Sequence, residues 1–243
     1  MKDYLQDIVK NTYTLGVIDL VKIVGTEKET TLHTMSAVNN SVVIKAKFHD
    51  VIPEFIGTFG MPNLNKLNTI LNIPEYREDA EITVKTKKVN NQDVPSYISF
   101  DNKTGDFTNE YRLMNQSTIE EMLKTPKFKG ANWNIEFEPS AQNIQRLRFQ
   151  ASANSEESSF AFKQDNRNLK IFFGDHSTHA GNFVFQADVT GTLSKQAHYP
   201  VSIVLAVLNL AGDKRIKLTD SVMLITVDSG LAVYEYIIPA LTK

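Results

Sequence analysis

Lys10, Lys66, Arg146, Arg148 and Lys195 are the side chains whose type and setting could do binding chemistry in this sequence. Each lies in a stretch without Asp or Glu, although the chain carries 28 acidic residues. The stretches are 8–18, 55–74, 139–155 and 189–212, two in each half, and they read as helices rich in Asn, Gln, Ser and Thr. A solvated helix ordinarily mixes both signs of charge. A face cleared of carboxylates and dotted with single cations is instead suited to an anionic surface. An ordinary polar helix is the competing reading, and residues 30–49 are also free of acid while reading as strand. The remaining chemistry is sparse. No phosphate-cradling GxxxxGK[ST], no GxGxxG, no HExxH and no GxSxG occurs in the sequence. His176 and His179 form the one close histidine pair, but Gly174 and Gly181 around them predict a loop rather than a metal-binding helix face. The acids are scattered through turns and strand ends, with no acid/base couple in an apolar setting. The expectation is a protein that is not an enzyme and that uses no metal and no cofactor.

The elements that must carry these side chains repeat in order. Leu5, Ile8, Val9 and Thr12 have helical spacing. β-rich segments follow at 17–24, 30–35 and 41–48, with turns at 25–29 and 39–40. Pro62 is expected at the first position of a helix whose apolar stripe is Leu64, Leu67, Ile70 and Leu71. Its other face would present Asn65, Lys66, Asn68, Thr69 and Asn72. A hairpin, 81–89 and 96–101, completes the first half. In the second half, 133–137 reads as a strand, and Pro139 or Ser140 opens a helix with Ile144, Leu147 and Ala151 inward. Strands are expected at 158–164, 168–173 and 183–190. The apolar run 201–210 reads as helix or strand, and a hairpin 222–227/231–238 closes the chain. Between the halves, 112–131 is polar, with Ser117-Thr118-Ile119-Glu120 as a capping box for a short helix through Leu123. The domain boundaries expected are therefore 1–111, a connector 112–131, and 132–243.

Bulk properties narrow the classes. With net charge −2 over 243 residues and a pI near 6.2, the chain is not one that coats nucleic acid by total positive charge. It has no cysteine, so disulfides and thiolate metal sites are excluded. The opening Met1-Lys2-Asp3-Tyr4-Leu5-Gln6-Asp7 lacks the pattern of a signal peptide. The longest apolar run, 201–210, is far short of the roughly 20 residues of a membrane span. No membrane association and a cytoplasmic setting are the expectations, the host cytoplasm if the protein is viral.

With these elements in place, the chain resembles a sliding clamp, the ring-shaped DNA polymerase processivity factor of the proliferating-cell nuclear antigen and T-even phage type. The two-half order of helices and hairpins carries the resemblance first. The passage from Asp50-Val51-Ile52-Pro53-Glu54-Phe55-Ile56-Gly57 to Asn63-Leu64-Asn65-Lys66-Leu67-Asn68-Thr69-Ile70-Leu71 carries it next. Last comes the ending at 201–243, with a basic turn at Lys214-Arg215 and the closing Tyr234-Glu235-Tyr236-Ile237-Ile238-Pro239-Ala240. The resemblance implies an α+β fold of two tandem clamp-type domains, each with two helices packed on antiparallel β-sheet, assembling as a closed ring, and a homotrimer. It implies sequence-independent contacts to double-stranded DNA through Lys10, Lys66, Arg146, Arg148, Lys195, Lys214 and Arg215. The implied partners are DNA polymerase and a clamp loader. A partner-peptide groove would use Met35, Ala37, Val38, Ile119, Met122, Leu123, Pro239, Ala240 and Leu241. Ring closure would run through edge strands, with 231–238 or 106–113 as candidates. Compactness and divergence are similar to a phage or other viral clamp. Two other classes fit the same pattern, a β-rich virion structural or assembly protein and a monomeric polymerase processivity factor.

Overall fold

The computed structural model describes residues 1–36, 41–89, 92–124, 130–174 and 179–241. The chain divides into two compact units, 1–126 with 229–234, and 127–228 with 235–243. Both have α+β architecture, with helices laid over antiparallel sheets.

The first unit opens with α1 (Lys2–Asn11), which leads through a 3-10 turn to β1 (Leu20–Gly25), β2 (Thr30–Met35), β3 (Val43–Phe48) and β4 (Gly57–Pro62). Then come α2 (Leu64–Leu71), β5 (Glu81–Val89), β6 (Gln92–Asp101), β7 (Thr108–Arg112) and α3 (Gln116–Met122). One sheet runs β4-β1-β2-β3 and the other β5-β6-β7. Along β1 and β2 half-buried and buried residues alternate, as a two-faced sheet requires. Leu5, Ile8 and Val9 of α1 and Leu64, Leu67, Ile70 and Leu71 of α2 supply buried apolar stripes, with α1 packed against α2 and α2 against β7. Burying each such side chain contributes about 2 kcal/mol. Tyr4 on α1 meets Phe48 edge-to-face with centroids 5.9 Å apart.

The second unit contains β8 (Ile135–Phe137), α4 (Ala141–Ala153), β9 (Ser159–Asp165), β10 (Asn168–Phe173) and β11 (Gly181–Gln186). It continues with β12 (Ala197–Pro200), α5 (Val201–Leu208), β13 (Asp213–Leu218), β14 (Val222–Asp228) and the later part of β15 (Ala232–Pro239), whose residues through Tyr234 belong to the first unit. One sheet has the order β11-β10-β9-β12, and β14-β13-β8 continue from the end of β15. A cluster of rings, Phe160, Phe162, Phe173, Phe185 and Tyr199, fills the interior beneath α4 and α5.

Several local expectations are corrected. Pro62 ends β4, opposite Leu20, and does not begin α2. Asn63 is the cap: its left-handed backbone (φ 54°) turns the chain, and its side chain accepts from the Lys66 amide. The stretch 55–74 is therefore strand before it is helix. α1 begins at Lys2, so it includes Asp3 and Asp7 and is not free of acid. The N-cap of α3 is Asn115 rather than Ser117, with Asn115 Oδ1 accepting from the Thr118 amide at 3.0 Å. Residues 201–210 resolve as helix over 201–208. Ile203, Val204, Val207 and Leu208 are buried, a spacing that a strand could not turn to one face. Lys214 and Arg215 stand in β13, paired with β14, rather than in a turn. Residues 231–238 are not a sheet edge. In the first unit Leu231 accepts from the His49 amide beyond β3, and in the second the strand lies beside β14. β7, within the other expected edge, is the last strand of β5-β6-β7. The segment 112–131, expected as a connector with a short helix through Leu123, begins at the last residue of β7, and its helix is α3. Ile119 of α3 lies directly over Gly60, where an added Cβ would come within 2.9 Å of it.

Candidate nucleic-acid interface

In the first unit the outward side chains of α1 and α2 are short and mostly uncharged. Gln6 and Lys10 are exposed on α1, followed by Thr14 just beyond it. Asn65, Lys66, Thr69 and Asn72 are exposed on or beside α2. Tyr13 Oη donates to Asn65 Oδ1 at 2.8 Å, tying the end of α1 to the start of α2 beside Lys66. Asp3, in the first turn of α1, is the exposed acid on this pair, where it complements the helix dipole. Asp7 points inward. Tyr234 Oη donates to its Oδ2 at 2.8 Å, and Asn11 Nδ2 donates to its Oδ1 at 2.9 Å. Burial holds the Asp7 carboxyl above its ordinary range, while the bonds from Tyr234, Ser229 and Asn11 and the charge of Lys10 pull it down. The outward face is thus less acidic than the composition of α1 implies.

In the second unit α4 carries the two arginines. Ser140 caps it by accepting from the Asn143 amide at 3.1 Å. Ile144 and Leu147 face the core, so Arg146 and Arg148 emerge on opposite flanks. The Arg146 guanidinium lies 5.0 Å from the centre of the Phe183 ring, and its Nη1 donates to the Val184 carbonyl at 3.4 Å. Arg148 Nε donates to Asn209 Oδ1 at 2.7 Å, across to the end of α5. Lys214 lies near Arg148. Its ammonium is held below the usual lysine range by burial, with the Arg148 charge adding and Asp213 opposing, and it donates to the Gly212 carbonyl at 2.8 Å. Ser202 and Asn209 are the exposed polar groups at the two ends of α5.

The remaining expected contacts lie elsewhere. Lys195 is in the loop before β12, where Asp220 Oδ1 accepts from the Ser194 amide at 2.8 Å and from the Lys195 amide at 3.4 Å. Arg215 sits on β13 beside β8 and pairs with Glu136 at 3.2 Å and Glu138 at 2.9 Å. These carboxylates raise its pKa, through the Glu138 hydrogen bond first. Three of the seven cations, Lys195, Lys214 and Arg215, are therefore off the helices, and Lys195 and Arg215 stand next to the carboxylates of Asp220, Glu136 and Glu138.

Of the expected groove residues, Met35, Ile119, Met122 and Leu123 belong to the first unit and Pro239, Ala240 and Leu241 to the second. Ile119 and Leu123 are buried rather than exposed groove lining, Ile119 on α3 packing against Gly60 of β4. Met35 is half-buried at the end of β2. Met122 is 61% exposed, Leu241 45%, and Pro239 is exposed beside a half-buried Ala240. The Leu241 amide donates to the His198 carbonyl and the Ala240 amide to the Ser221 carbonyl. Ala37, Val38 and His176 lie outside the described residues, as do the turns at 39–40 and 90–91. Among the described residues no group of three His, Asp or Glu lies close enough to hold a metal ion. Among them, too, no helix is long and apolar enough to cross a membrane.

Phe149 was missed by the sequence reading. It is 63% exposed on α4, between the two arginines. Its phase against Ile144 and Leu147 was the available signal. Asn209, the partner of Arg148, had no signal, since it is 61 residues away in the chain.

No protein-family model matches the chain, and no curated protein sequence matches it. Solved structures do. The chain is similar to A. fulgidus PCNA, in a structure with the C-terminal region of FEN-1 bound, with a TM-score of 0.72 at 13% identity, covering 100% of this chain and 96% of that one. It is similar also to the Proliferating Cellular Nuclear Antigen of Entamoeba histolytica, with a TM-score of 0.65 at 10% identity, covering 99% and 94%. At these identities the likeness is one of fold, and it extends over essentially the whole chain.

Proposed function

We propose that this protein is a DNA sliding clamp, several copies of which close around duplex DNA and tether a polymerase. The observation that carries the proposal is the absence of acid from α2, α4 and α5, set on a fold shared with proliferating-cell nuclear antigen. On this reading Lys10, Lys66, Arg146, Arg148 and Lys214 touch phosphates. Lys195 and Arg215 contribute little, because carboxylates already neighbour them. Sparse cations suit a ring that must slide. Topology keeps it on the duplex, so the phosphate contacts need only be weak, salt-sensitive and indifferent to base sequence.

Ring closure from identical chains needs two different surfaces per copy. The β7 edge of β5-β6-β7 in the first unit and the β11 edge of β11-β10-β9-β12 in the second would serve, joined head to tail by main-chain hydrogen bonds. A homotrimer, a clamp loader and a viral replication setting follow from the resemblance to phage-type clamps. A partner peptide, of the kind the A. fulgidus protein holds from FEN-1, would use exposed apolar residues. Met122, Pro239 and Leu241 qualify, whereas Ile119 and Leu123 do not.

Light scattering on the native protein tests the assembly. Three times the chain mass of 27.4 kDa is expected, and a strictly monomeric mass would refute the ring. Polymerase extension tests the tether. Pro239→Glu or Met122→Glu should shorten products while leaving the assembly mass unchanged.

A further inference from the structure

Phe149 occupies an unusual position for an apolar ring. At 3.6 residues per turn it lies about 140° around α4 from Ile144 and about 160° from Leu147, the two residues that anchor the helix to its sheet. It therefore stands at the crest of the helix, directed away from the core, and 63% of it is exposed. The two cations beside it are held in place on opposite flanks, Arg146 over the Phe183 ring and Arg148 against Asn209. α4 has no acid. The crest is thus an aromatic ring framed by positioned guanidinium groups, with no carboxylate on the helix to repel an anionic strand.

An intact duplex makes poor use of such a ring, because its bases keep their faces stacked on one another and present phosphates outward. A base without a partner offers a free π-face alongside its own phosphate, and aromatic side chains within basic surfaces bind single strands in this way. We propose that the crest of α4 is a stacking site for an unpaired nucleobase, with Phe149 under the base and Arg146 and Arg148 on the adjoining phosphates. The protein would then hold single-stranded or frayed DNA as well as duplex. This rests on the reading that α4 faces DNA.

Fluorescence anisotropy at low salt tests it, using a labelled oligo(dT) strand, an abasic strand of the same length and a duplex of that length. Phe149 is exposed, so its replacement leaves the core intact. Phe149→Ala and Phe149→Leu should weaken oligo(dT) binding by about fivefold or more, the range that one lost base stack predicts, and Phe149→Tyr should restore it. The abasic strand should bind the unaltered protein as weakly as oligo(dT) binds Phe149→Ala. Duplex affinity should stay within about twofold in all three variants, since that term is carried by phosphate contacts. The stacking site is refuted if Phe149→Leu binds oligo(dT) normally, if the abasic strand binds as well as oligo(dT), or if Phe149→Ala loses duplex and strand equally. A changed assembly mass in Phe149→Ala, with oligo(dT) affinity intact, would make the residue a protein contact and refute it too. Failure of the unaltered protein to bind any of the three DNAs would overturn the DNA-facing assignment of α4 itself. Normal duplex binding with no effect of Phe149 on the strand overturns the stacking site alone.

Discussion

The helix pairs α1/α2 and α4/α5 do the same structural work with different surfaces. Each pair packs on antiparallel sheet through buried aliphatic residues. The first pair lowers its exposed negative charge partly by burial: Asp7 is turned inward and bound by Tyr234 and Asn11. The second has no acid to hide, places its charge in two arginines on one helix, and leaves α5 uncharged. An outward face of one electrostatic character can thus come from composition or from orientation. Only the first of these is visible in a count of residues.

That contrast can be broken most forcefully at the shared feature, the buried stripe. Leu67 and Leu147 are both fully buried, one in each pair, so Leu67→Ala and Leu147→Ala should each cost about 3 kcal/mol in chemical denaturation. A cost below about 1 kcal/mol at either would show that this helix is not held by its stripe. The difference in charge comes next. Arg146→Glu with Arg148→Glu should weaken duplex binding more than Lys10→Glu with Lys66→Glu, because both arginines are already positioned by partners. The salt slope for neutral versions of either pair should fall by about two. Equal losses from the two charge reversals would show that positioning adds nothing.

The caps sharpen the contrast on a smaller scale. Ser140 caps α4 from an extended backbone, so Ser140→Ala should cost about 1 kcal/mol. Asn63 caps α2 at φ 54°, so Asn63→Ala loses the cap and also forces Ala into the left-handed region, for about 2 kcal/mol in total. Asn63→Gly should recover much of that, because glycine accepts the backbone, and thermal melts of the three variants give the order. The smallest effect is at Asp7. Its carboxyl is raised by burial, so its favourable contribution is full below the unfolded value of 3.8 and is lost as pH rises through the higher folded value. Asp7→Asn should therefore raise the melting temperature at neutral pH, and the gap should close as pH falls below about 4. A gap that widens in acid would mean that the carboxylate, not the acid, is the favoured form.

Much of this was legible from local pattern. The stripe Leu64, Leu67, Ile70 and Leu71 placed α2, and Ile144 with Leu147 placed α4, because helical spacing and burial coincide there. The hairpins 81–89/96–101 and 222–227/231–238 were visible from β-rich runs about short polar turns. Misses occurred where a side chain had two possible roles. The resemblance implied a groove role for Ile119, yet the missing side chain of Gly60 gives it a core site. Arg215 was placed in a basic turn and among the implied DNA contacts, and nothing local showed its pairing, because Glu136 and Glu138 are remote in sequence.

By itself the sequence determined the α+β class, the order of helices and hairpins in the two halves, and the clearance of acid from α2, α4 and α5, since periodicity and composition are local properties. Tertiary structure alone decided that Asp7 is hidden, that Lys195 and Arg215 stand beside carboxylates, and that Arg148 is fixed by Asn209. These facts depend on which distant groups meet across a sheet or between helices. Charge is written in the chain, but its exposure and pairing are set by contacts that exist only once the chain has folded.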